Sequence, residues 1–495
     1  MSEKNITTTI KVAIAGAGPA GLTAAYELAK RNVESIIIES DSVPGGLSRT
    51  ELADNWRFDI GGHRFFTKVK EVENFWHEIL PGSEDLKSRP RLSRIYYEGK
   101  FFDYPLQPFK ALKTLGIFES IKCLLSFVVV KFKPPKDLSN YENYVAHKFG
   151  WRLYRTFFKS YTEKVWGIDA SLIQADWAAQ RIKNLSIGNL ILHSIPFKKN
   201  KTGVTSLIEE FLYPKFGPGQ MWETTLDKAL KMGAAIKFNN KVVRITKEAN
   251  RAVSVTIKNA DGEELNIDID YFISSMPLRD LVLAIQPSIP SKVVDAAKQL
   301  TFRDHLLVAL VVNDPEPFPD NWIYIHYPKV KVGRIQNYGA WSPDMVKAGT
   351  TCLGMEYFVN QGDELWSKSE MELIEMAKRE LAELELVDSN LVDHGYVVKM
   401  PNAYPVYNLE YKANVDLIKN WLNENLINVF PVGRNGMHRY NNQDHSMYTA
   451  MLAVDNIFGA RNDIWSVNVD SDYHEIKQTD SKSHDRTAPI FLSNG

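Results

Sequence analysis

Cysteine is scarce in this sequence of 495 residues, and long apolar runs and an excess of one charge are lacking. Its two cysteines, Cys123 and Cys352, are too few for a disulfide framework or a zinc site, and we expect both to be buried or inert in a reducing compartment. No apolar run reaches the roughly 18 residues of a membrane span. The net charge of −1 provides no positive field for nucleic acid, so a small molecule is the expected partner.

A secretory signal is also lacking at the start of the sequence, where no basic segment precedes an apolar one, and we expect a cytoplasmic protein. The apolar run LLSFVVV, at 124–130, lies between lysines. It predicts a core helix or strand, with an interfacial patch for a lipid-linked substrate, and so a peripheral membrane contact, as the alternative. The polar segment 470–495 predicts a flexible tail. No metal site is expected, and the oligomeric state stays open, a homo-oligomer included.

The first forty residues carry the sharpest pattern. They predict a buried strand, a helix and a second strand over 9–15, 22–30 and 33–38. A G-x-G-x-x-G turn joins the first strand to the helix, and Glu39 ends the second strand. In such a unit the glycines admit a pyrophosphate at the helix N-terminus, and the acid accepts hydrogen bonds from a ribose hydroxyl. The acid suits NAD or the adenosine end of FAD.

Two further glycine-rich turns separate these two cofactors. One comprises Gly46, Leu47 and Ser48, and the other comprises Gly61, Gly62 and His63. A nicotinamide cofactor would leave both turns without a role, whereas the longer FAD would pass its isoalloxazine along them. The sequence therefore favours FAD.

The rest of the chain divides by pattern. Aromatic and basic residues at helical spacing predict a helical insertion, and strands with a hairpin at NADG predict a return to the first domain. The strands HLLVALVV and NWIYIHY, with one strong helix, predict a sheet that floors a ligand cavity. We expect an α/β fold with a Rossmann-type, GR2-like FAD-binding domain in three pieces, 1–90, 203–285 and 400–465. A mainly helical inserted domain is expected over 91–202, and a substrate domain of mixed sheet and helix over 286–399.

These blocks resemble the flavin amine-oxidase and protoporphyrinogen-oxidase superfamily, and within it they are most similar to the UDP-galactopyranose mutases. GAGPAGLTAAYEL and PGGLSRT are common to the superfamily. GGHRFF resembles the mutases' histidine loop, YPLQ a segment that binds the nucleotide, KVWGIDASLIQADWAAQR a block that ends in a functional arginine, and GRNG with YNNQDHS their C-terminal flavin motif.

The resemblance implies a role for each matched position. Catalysis is assigned to His63, beside the flavin, and to Arg181, which would bind the diphosphate of the substrate. The implied cofactor-binding residues are Gly16, Gly18, Ala20, Gly21, Glu39, Gly46, Leu47, Ser48, Gly61, Gly62, His63, Val243, Gly433, Arg434, Asn442, Gln443, Asp444 and Ser446. The implied substrate-binding residues are Tyr104, Gln107, Trp166, Arg181, Tyr404 and Tyr440, with Tyr357 and Tyr407 as further aromatic candidates. Asn442 or Asp444 would cap a helix.

If the resemblance holds, the active cofactor is reduced FAD, and its N5 acts as a nucleophile on the anomeric carbon of a nucleotide sugar. The product would serve the synthesis of a cell-surface polysaccharide. NADH or NADPH, as reductant, would bind transiently, because the sequence contains one dinucleotide fingerprint.

Two departures from the mutase pattern concern the substrate. The strand HLLVALVVND lacks the mutases' second diphosphate arginine, which leaves Arg94, Arg303 and Arg334 as replacements, and Thr162 stands where an asparagine is expected. The alternative function is a flavin-dependent oxidase or dehydrogenase of the amine-oxidase or protoporphyrinogen-oxidase type. Such an enzyme would surround its substrate with an apolar, aromatic cage rather than with cations.

Overall fold

A computed structural model describes residues 10–104, 106, 108–175, 210–287 and 289–468. A five-stranded parallel sheet carries the first motif. Its strands lie in the order Val429–Pro431, Tyr271–Ser274, Val12–Ala15, Ser35–Ile38 and Ala235–Lys237. The central strand is buried along its whole length, as expected for a parallel strand covered on both faces. The adjoining helices are Pro19–Ala29, Lys70–Ile79, Pro218–Lys231 and Gln443–Ile457.

The predicted strand–turn–helix–strand unit is therefore confirmed, with shifted ends. The helix begins at Pro19 rather than Leu22, because proline is well suited to the first helical position. A four-stranded sheet joins this region, in the order Glu264–Asp268, Arg251–Asn259, Asn240–Glu248 and Ile285–Gln286. The hairpin predicted at NADG links its first two strands in that order.

A seven-stranded sheet forms the second large layer. Its strands lie in the order Val392–Pro405, Phe302–Val312, Thr351–Val359, Arg334–Asn337, Trp322–Ile325, Ser93–Tyr97 and Lys100–Asp103. Helix Glu370–Glu383 begins with a capping box formed by Ser369 and Glu372, and it packs on one face. Because side chains alternate along a strand, Leu306, Met355 and Tyr357 point to this helix and their neighbours point to the other face.

The segment between 108 and 166 is mainly helical, with helices Pro108–Leu115, Ile117–Phe132, Tyr141–Phe149, Trp151–Leu153 and Ser160–Trp166, and a π-helical turn at Tyr154–Lys159. The run LLSFVVV is helical, but its predicted place in the core is wrong. Cys123, Phe127 and Val130 are buried, whereas Leu124, Leu125, Val128 and Val129 are exposed. One helix can bury only one stripe against a single layer of neighbours, and this run is apolar around most of its circumference.

The remaining elements are two small sheets and six further helices of the described residues. Two antiparallel two-stranded sheets are formed by Thr50–Ala53 with Trp56–Asp59, which is a hairpin, and by Leu86–Pro90 with Glu210–Pro214, which are distant in sequence. The other helices are Leu278–Leu283, Ser291–Lys298, Tyr338–Trp341, Glu364–Ser367, Tyr411–Asn425 and Gly433–Gly436. Both cysteines are buried and unpaired with each other, as predicted. Within the described ranges, no helix is both long and apolar enough to cross a membrane. The predicted tail at 470–495 lies outside the described residues.

Candidate active site

The turn after the first strand is built for close backbone contacts. Gly16 adopts φ +98°, and a Cβ there would overlap Ser275 Oγ. A Cβ on Gly21 would overlap the carbonyl oxygen of Gly16, so only glycine lets the helix pack this closely on the strand. The atoms nearest to a Cβ built on Gly18, Gly45 O and Gly46 Cα, are 3.9 Å away, so the site has room for a small group. No side chain caps the helix at Gly18, and its first N–H groups, including that of Ala20, suit an anion.

Glu39 fixes this turn from the end of the second strand. It is buried, its Oε2 accepts a hydrogen bond of 2.6 Å from Ala17 N, and its Oε1 accepts one of 2.8 Å from Asp41 N. Ser40 Oγ also donates to Oε1, at 3.2 Å. A carboxylate has about four acceptor sites, so these three bonds leave capacity for a ribose hydroxyl. The geometry therefore fits the ribose role that the sequence predicts.

Val243 lies on the strand that begins beside Glu39, since Asn240 N donates to Glu39 O at 2.9 Å. The pairing with the neighbouring strand shifts register between Val242 and Arg244, which leaves Val243 outside the ladder as a β-bulge. The bulge leaves its backbone groups outside the ladder, and the adenine contact that the resemblance implies stays a prediction.

The two later glycine turns meet at His63. Gly45 N donates to Ala17 O at 2.8 Å, which holds Gly46 against the first turn. His63 Nε2 is 2.8 Å from Leu47 O, and its Nδ1 is 3.5 Å from Ser48 Oγ. Since a carbonyl accepts, the proton is on Nε2.

Burial, reinforced by the positive charge of Arg434, lowers the pKa of His63 to about 3. The imidazole is therefore neutral near pH 7. The turn itself is close-packed: a built Cβ on Gly61 would be 3.6 Å from His63 Nε2, and one on Gly62 would clash with the ring of Trp322.

The C-terminal block returns to the same place. A Cβ on Gly433 would be 3.1 Å from that of Ala20, beside the first turn. Asn442 is the N-cap of helix Gln443–Ile457, and its N–H donates to His445 Nδ1 at 3.3 Å. Gln443, Asp444 and Ser446 are buried in the first turn of this helix, where Ser446 Oγ donates to Asn442 O at 3.0 Å and Gln443 Nε2 donates to Arg64 O at 3.4 Å. Of the two predicted caps, Asn442 is the one observed.

A buried ion pair lies on the inner face of the seven-stranded sheet. Arg334 Nη2 is 2.6 Å from Glu356 Oε2, and the side chains are 9% and 0% exposed. Gln336 donates to the other carboxylate oxygen at 2.7 Å, and Arg334 donates to Tyr404 Oη at 2.8 Å. Burial acts to lower the pKa of Arg334, but Glu356 together with Tyr404, Tyr161 and Tyr440 outweighs it and holds the pKa well above the ordinary value. Arg334 therefore stays charged.

Tyrosines join the two arginines. The rings of Tyr404 and Tyr440 stack with centroids 5.7 Å apart, and the Arg434 guanidinium lies 4.7 Å from the Tyr440 centroid and 5.4 Å from that of Tyr404. Arg434 Nε donates to Asn441 O at 2.9 Å. Trp166 lies 6.2 Å from Tyr440. This cluster of Arg334, Arg434, Tyr404 and Tyr440 is called the arginine–tyrosine cluster below.

Tyr104 extends this aromatic surface. Its ring stacks on Tyr324 at 4.2 Å, and Tyr324 stacks on Trp322 at 5.3 Å. Trp322 in turn lies 4.9 Å below the Arg334 guanidinium. Tyr104 is thus connected to the arginine–tyrosine cluster through two aromatic rings.

Comparison with known proteins explains this convergence of glycine turns, histidine and arginines. A family model described as flavin containing amine oxidoreductase matches residues 19–385. The chain belongs to this flavoenzyme family. A flavin is therefore its cofactor, and the three turns around His63 fit one.

Solved structures extend the match to the fold of nearly the whole chain. A crystal structure of reduced UDP-galactopyranose mutase superposes with a TM-score of 0.78 at 21% identity, covering 91% of this chain and 94% of that one. A putative protoporphyrinogen oxidase from Exiguobacterium sp. 255-15 gives a TM-score of 0.65 at 14% identity, covering 91% and 99%. The fold predicted from the sequence is confirmed.

Curated relatives match over shorter stretches. A 1-hydroxycarotenoid 3,4-desaturase from a Flavobacterium species is 24% identical over 53% of this chain and 57% of its own length. An L-amino-acid oxidase from Sistrurus catenatus edwardsii is 23% identical over 59% of this chain and 56% of its own length. The chain thus spans less than two thirds of these relatives.

The structure shows which of the other predicted substrate-site residues lie near the arginine–tyrosine cluster. Arg94 is paired with Asp320, and Arg303 donates to Phe358 O at 2.6 Å, so of the three replacement arginines Arg334 is the one in the arginine–tyrosine cluster. Tyr357 is wrong as a wall of the site, because strand alternation turns it to the opposite face, towards Glu380. Gln107 and Arg181 lie outside the described residues.

Several residues of the site were not predicted: His305, Trp322, Tyr324 and Glu356. His305 Nε2 is 2.6 Å from Ile60 O, just before the histidine loop. A polar residue at alternate positions of an otherwise apolar strand, as in RIQ and MEY, was the available signal. It marks the inner face of the sheet.

Proposed function

We propose that this flavoenzyme is an FAD-dependent nucleotide-sugar mutase that acts with reduced flavin. The observation that carries the proposal is the arginine–tyrosine cluster beside His63, which places two guanidinium groups among stacked tyrosines. Guanidinium forks suit diphosphate oxygens, and tyrosine rings suit a sugar or a base. The shared fold with UDP-galactopyranose mutase supports the same reading.

FAD is the proposed form of the flavin because the first turn, Glu39 and the bulge at Val243 fit a pyrophosphate, a ribose and an adenine in sequence. Reduced flavin would supply N5 as a nucleophile towards the anomeric carbon. NADH or NADPH is proposed as a transient reductant. The product is proposed to serve cell-surface polysaccharide synthesis.

The chain's own residues bind and orient in this scheme. Arg334 and Arg434 hold the diphosphate as it leaves and returns, and Arg181 is retained as a third cation. Tyr404 and Tyr440 exclude water from the sugar. His63 keeps its proton at Nε2 on Leu47 O, and its Nδ1, 3.5 Å from Ser48 Oγ, would be available as an acceptor towards a bound flavin.

A second candidate function rests on Glu356. This carboxylate neutralises Arg334 inside an aromatic enclosure that includes Trp322, Phe358 and Tyr404. Such a site resembles the apolar cage of an oxidase or dehydrogenase, and the curated relatives are oxidases and a desaturase.

Reconstitution with 5-deaza-FAD separates the two candidates. This analogue carries hydride but has no N5 nucleophile. We expect dithionite-reduced native enzyme to isomerise a nucleotide sugar from a panel of UDP- and GDP-hexoses, measured by ion-exchange chromatography, and the 5-deaza-FAD enzyme to be inactive. Isomerisation that persists with 5-deaza-FAD would contradict nucleophilic catalysis. Oxygen uptake with amines or amino acids, without isomerisation, would establish the oxidase.

A further inference from the structure

Helix Ile117–Phe132 exposes an apolar face to solvent. The large exposed side chains are Ile117, Phe118, Ile121, Leu124, Leu125, Val128, Val129 and Phe132. Phe118 and Phe132 are 79% and 83% exposed. These two rings stand near opposite ends of the helix. No described residue covers this face, which we call the outer face.

The outer face is continuous. Its members follow the spacing i, i+1, i+4, i+7, i+8, i+11, i+12 and i+15, which places them on one side of a helix. Sixteen residues at 1.5 Å each give a strip about 24 Å long. The opposite stripe, Cys123, Phe127 and Val130, anchors the helix to the protein. The outer face can therefore be presented to a partner without unfolding.

Basic residues precede and follow this apolar strip in the sequence. The segment 108–137 contains six lysines against two carboxylates, in a chain whose net charge is −1. One of the two carboxylates, Glu119, is occupied by Lys122 and Arg152, at 2.7 Å each. Lys131, Lys133 and Lys136 follow one another at the C-terminal end of the helix. The strip is thus apolar in the middle and positive at its edge.

An apolar strip next to lysines indicates the kind of partner that this face would bind. Protein interfaces are depleted of lysine, whereas an amphipathic helix with lysines beside an apolar strip is attracted by anionic lipid headgroups. A 24 Å helix is also shorter than the roughly 30 Å hydrocarbon core, so it would lie in the headgroup plane rather than cross it. We propose that the outer face docks this enzyme on an anionic membrane surface.

Vesicle co-sedimentation of the full flavin-loaded chain tests this proposal. We expect binding to vesicles in which about a third of the lipid is phosphatidylserine, weak binding to pure phosphatidylcholine, and loss of binding at high salt, where the Debye length falls to about 3 Å. Phe118→Asp and Phe132→Asp should each weaken binding by at least about tenfold, the effect of losing one buried phenylalanine ring.

Matched controls keep the test specific. Met371 is 74% exposed on helix Glu370–Glu383, and Met371→Asp should leave vesicle binding unchanged. Lys133→Glu with Lys136→Glu should remove the preference for anionic lipid. Thermal unfolding and flavin content should match the native enzyme in all variants. Absence of binding to anionic vesicles, or binding that Phe132→Asp leaves intact, would overturn the proposal. A dimer that Phe118→Asp dissociates, without vesicle binding, would assign the face to a second copy.

Discussion

The buried pair of Arg334 and Glu356 allows a sharp prediction. Glu356→Gln removes the negative partner and leaves a guanidinium that is 9% exposed with no counter-charge at 2.6 Å. Breaking such a pair costs about 3–5 kcal/mol, because the remaining charge is uncompensated away from water. We expect a fall in thermal midpoint of about 3–5 °C, because the unfolding entropy of a chain of 495 residues is about 1 kcal/mol per kelvin. Arg334→Met together with Glu356→Gln leaves no charge, so the double variant should lose much less than the two single losses combined.

The assay is thermal release of the flavin, followed by its fluorescence at saturating cofactor. The matched control is the surface pair of Arg244 and Glu264, whose side chains are each 42% exposed at 3.3 Å. Glu264→Gln should cost at most about 1 kcal/mol. Strictly additive losses in the double variant, or a loss at Glu356 as small as that at Glu264, would refute the reasoning.

Three further predictions follow from the same geometry. Gly18→Ala should leave the thermal midpoint of the apoprotein unchanged and weaken flavin retention on gel filtration. Gly21→Ala should lower both the midpoint and the retention, because its Cβ overlaps Gly16 O. Equal behaviour of the two variants would argue against the phosphate role of the turn. Tyr104→Ala should weaken nucleotide binding, measured by calorimetry, by about 1–3 kcal/mol, and unchanged affinity would place the nucleotide elsewhere. Stability should fall as pH drops from about 6.5 towards 4, by up to about 1.4 kcal/mol per pH unit for each group, because the unfolded chain binds protons there and four buried histidines do not. Burial lowers their pKa to about 3 for His63, His305 and His326 and to about 4 for His438. Burial also raises the pKa of Asp59, to about 7, and the pKa values of Glu223, Glu356 and Glu380, and these carboxyls oppose the histidines. Thermal midpoints that rise on acidification would contradict the predicted sign.

Local signals made the cofactor end predictable. The glycine turn, Glu39 and the Asn442 cap each depend on a few neighbouring residues. A turn that requires φ > 0, or a helix start, can be identified from the residue types of one short segment. The strand–helix–strand order then follows from periodicity.

The arginine–tyrosine cluster was harder to predict from the sequence, because it depends on long-range strand pairing. Arg334 and Glu356 come together through antiparallel strands in which they are direct partners, and Tyr404 arrives from a strand at the far edge of the sheet. A single sequence reveals neither that register nor which face receives the cofactor. Arg334 was therefore one of three candidates.

The exposed helix shows a different limit. Hydrophobicity indicates that a run avoids water, but it does not identify the surface that shields it. Leu124 and Val128 were thus assigned to the core, and the structure leaves them exposed.

The seven-stranded sheet has a consequence for how this enzyme can diversify. Its two faces have separate neighbours: Leu306, Met355 and Tyr357 pack under helix Glu370–Glu383, while Arg334 and Glu356 point away from it. Alternate positions along one strand belong to different environments. Side chains on the inner face can therefore be substituted to change specificity while those on the other face continue to hold the layers together. Libraries restricted to the inner-face positions of these strands should therefore yield new ligand preferences with a high fraction of folded members.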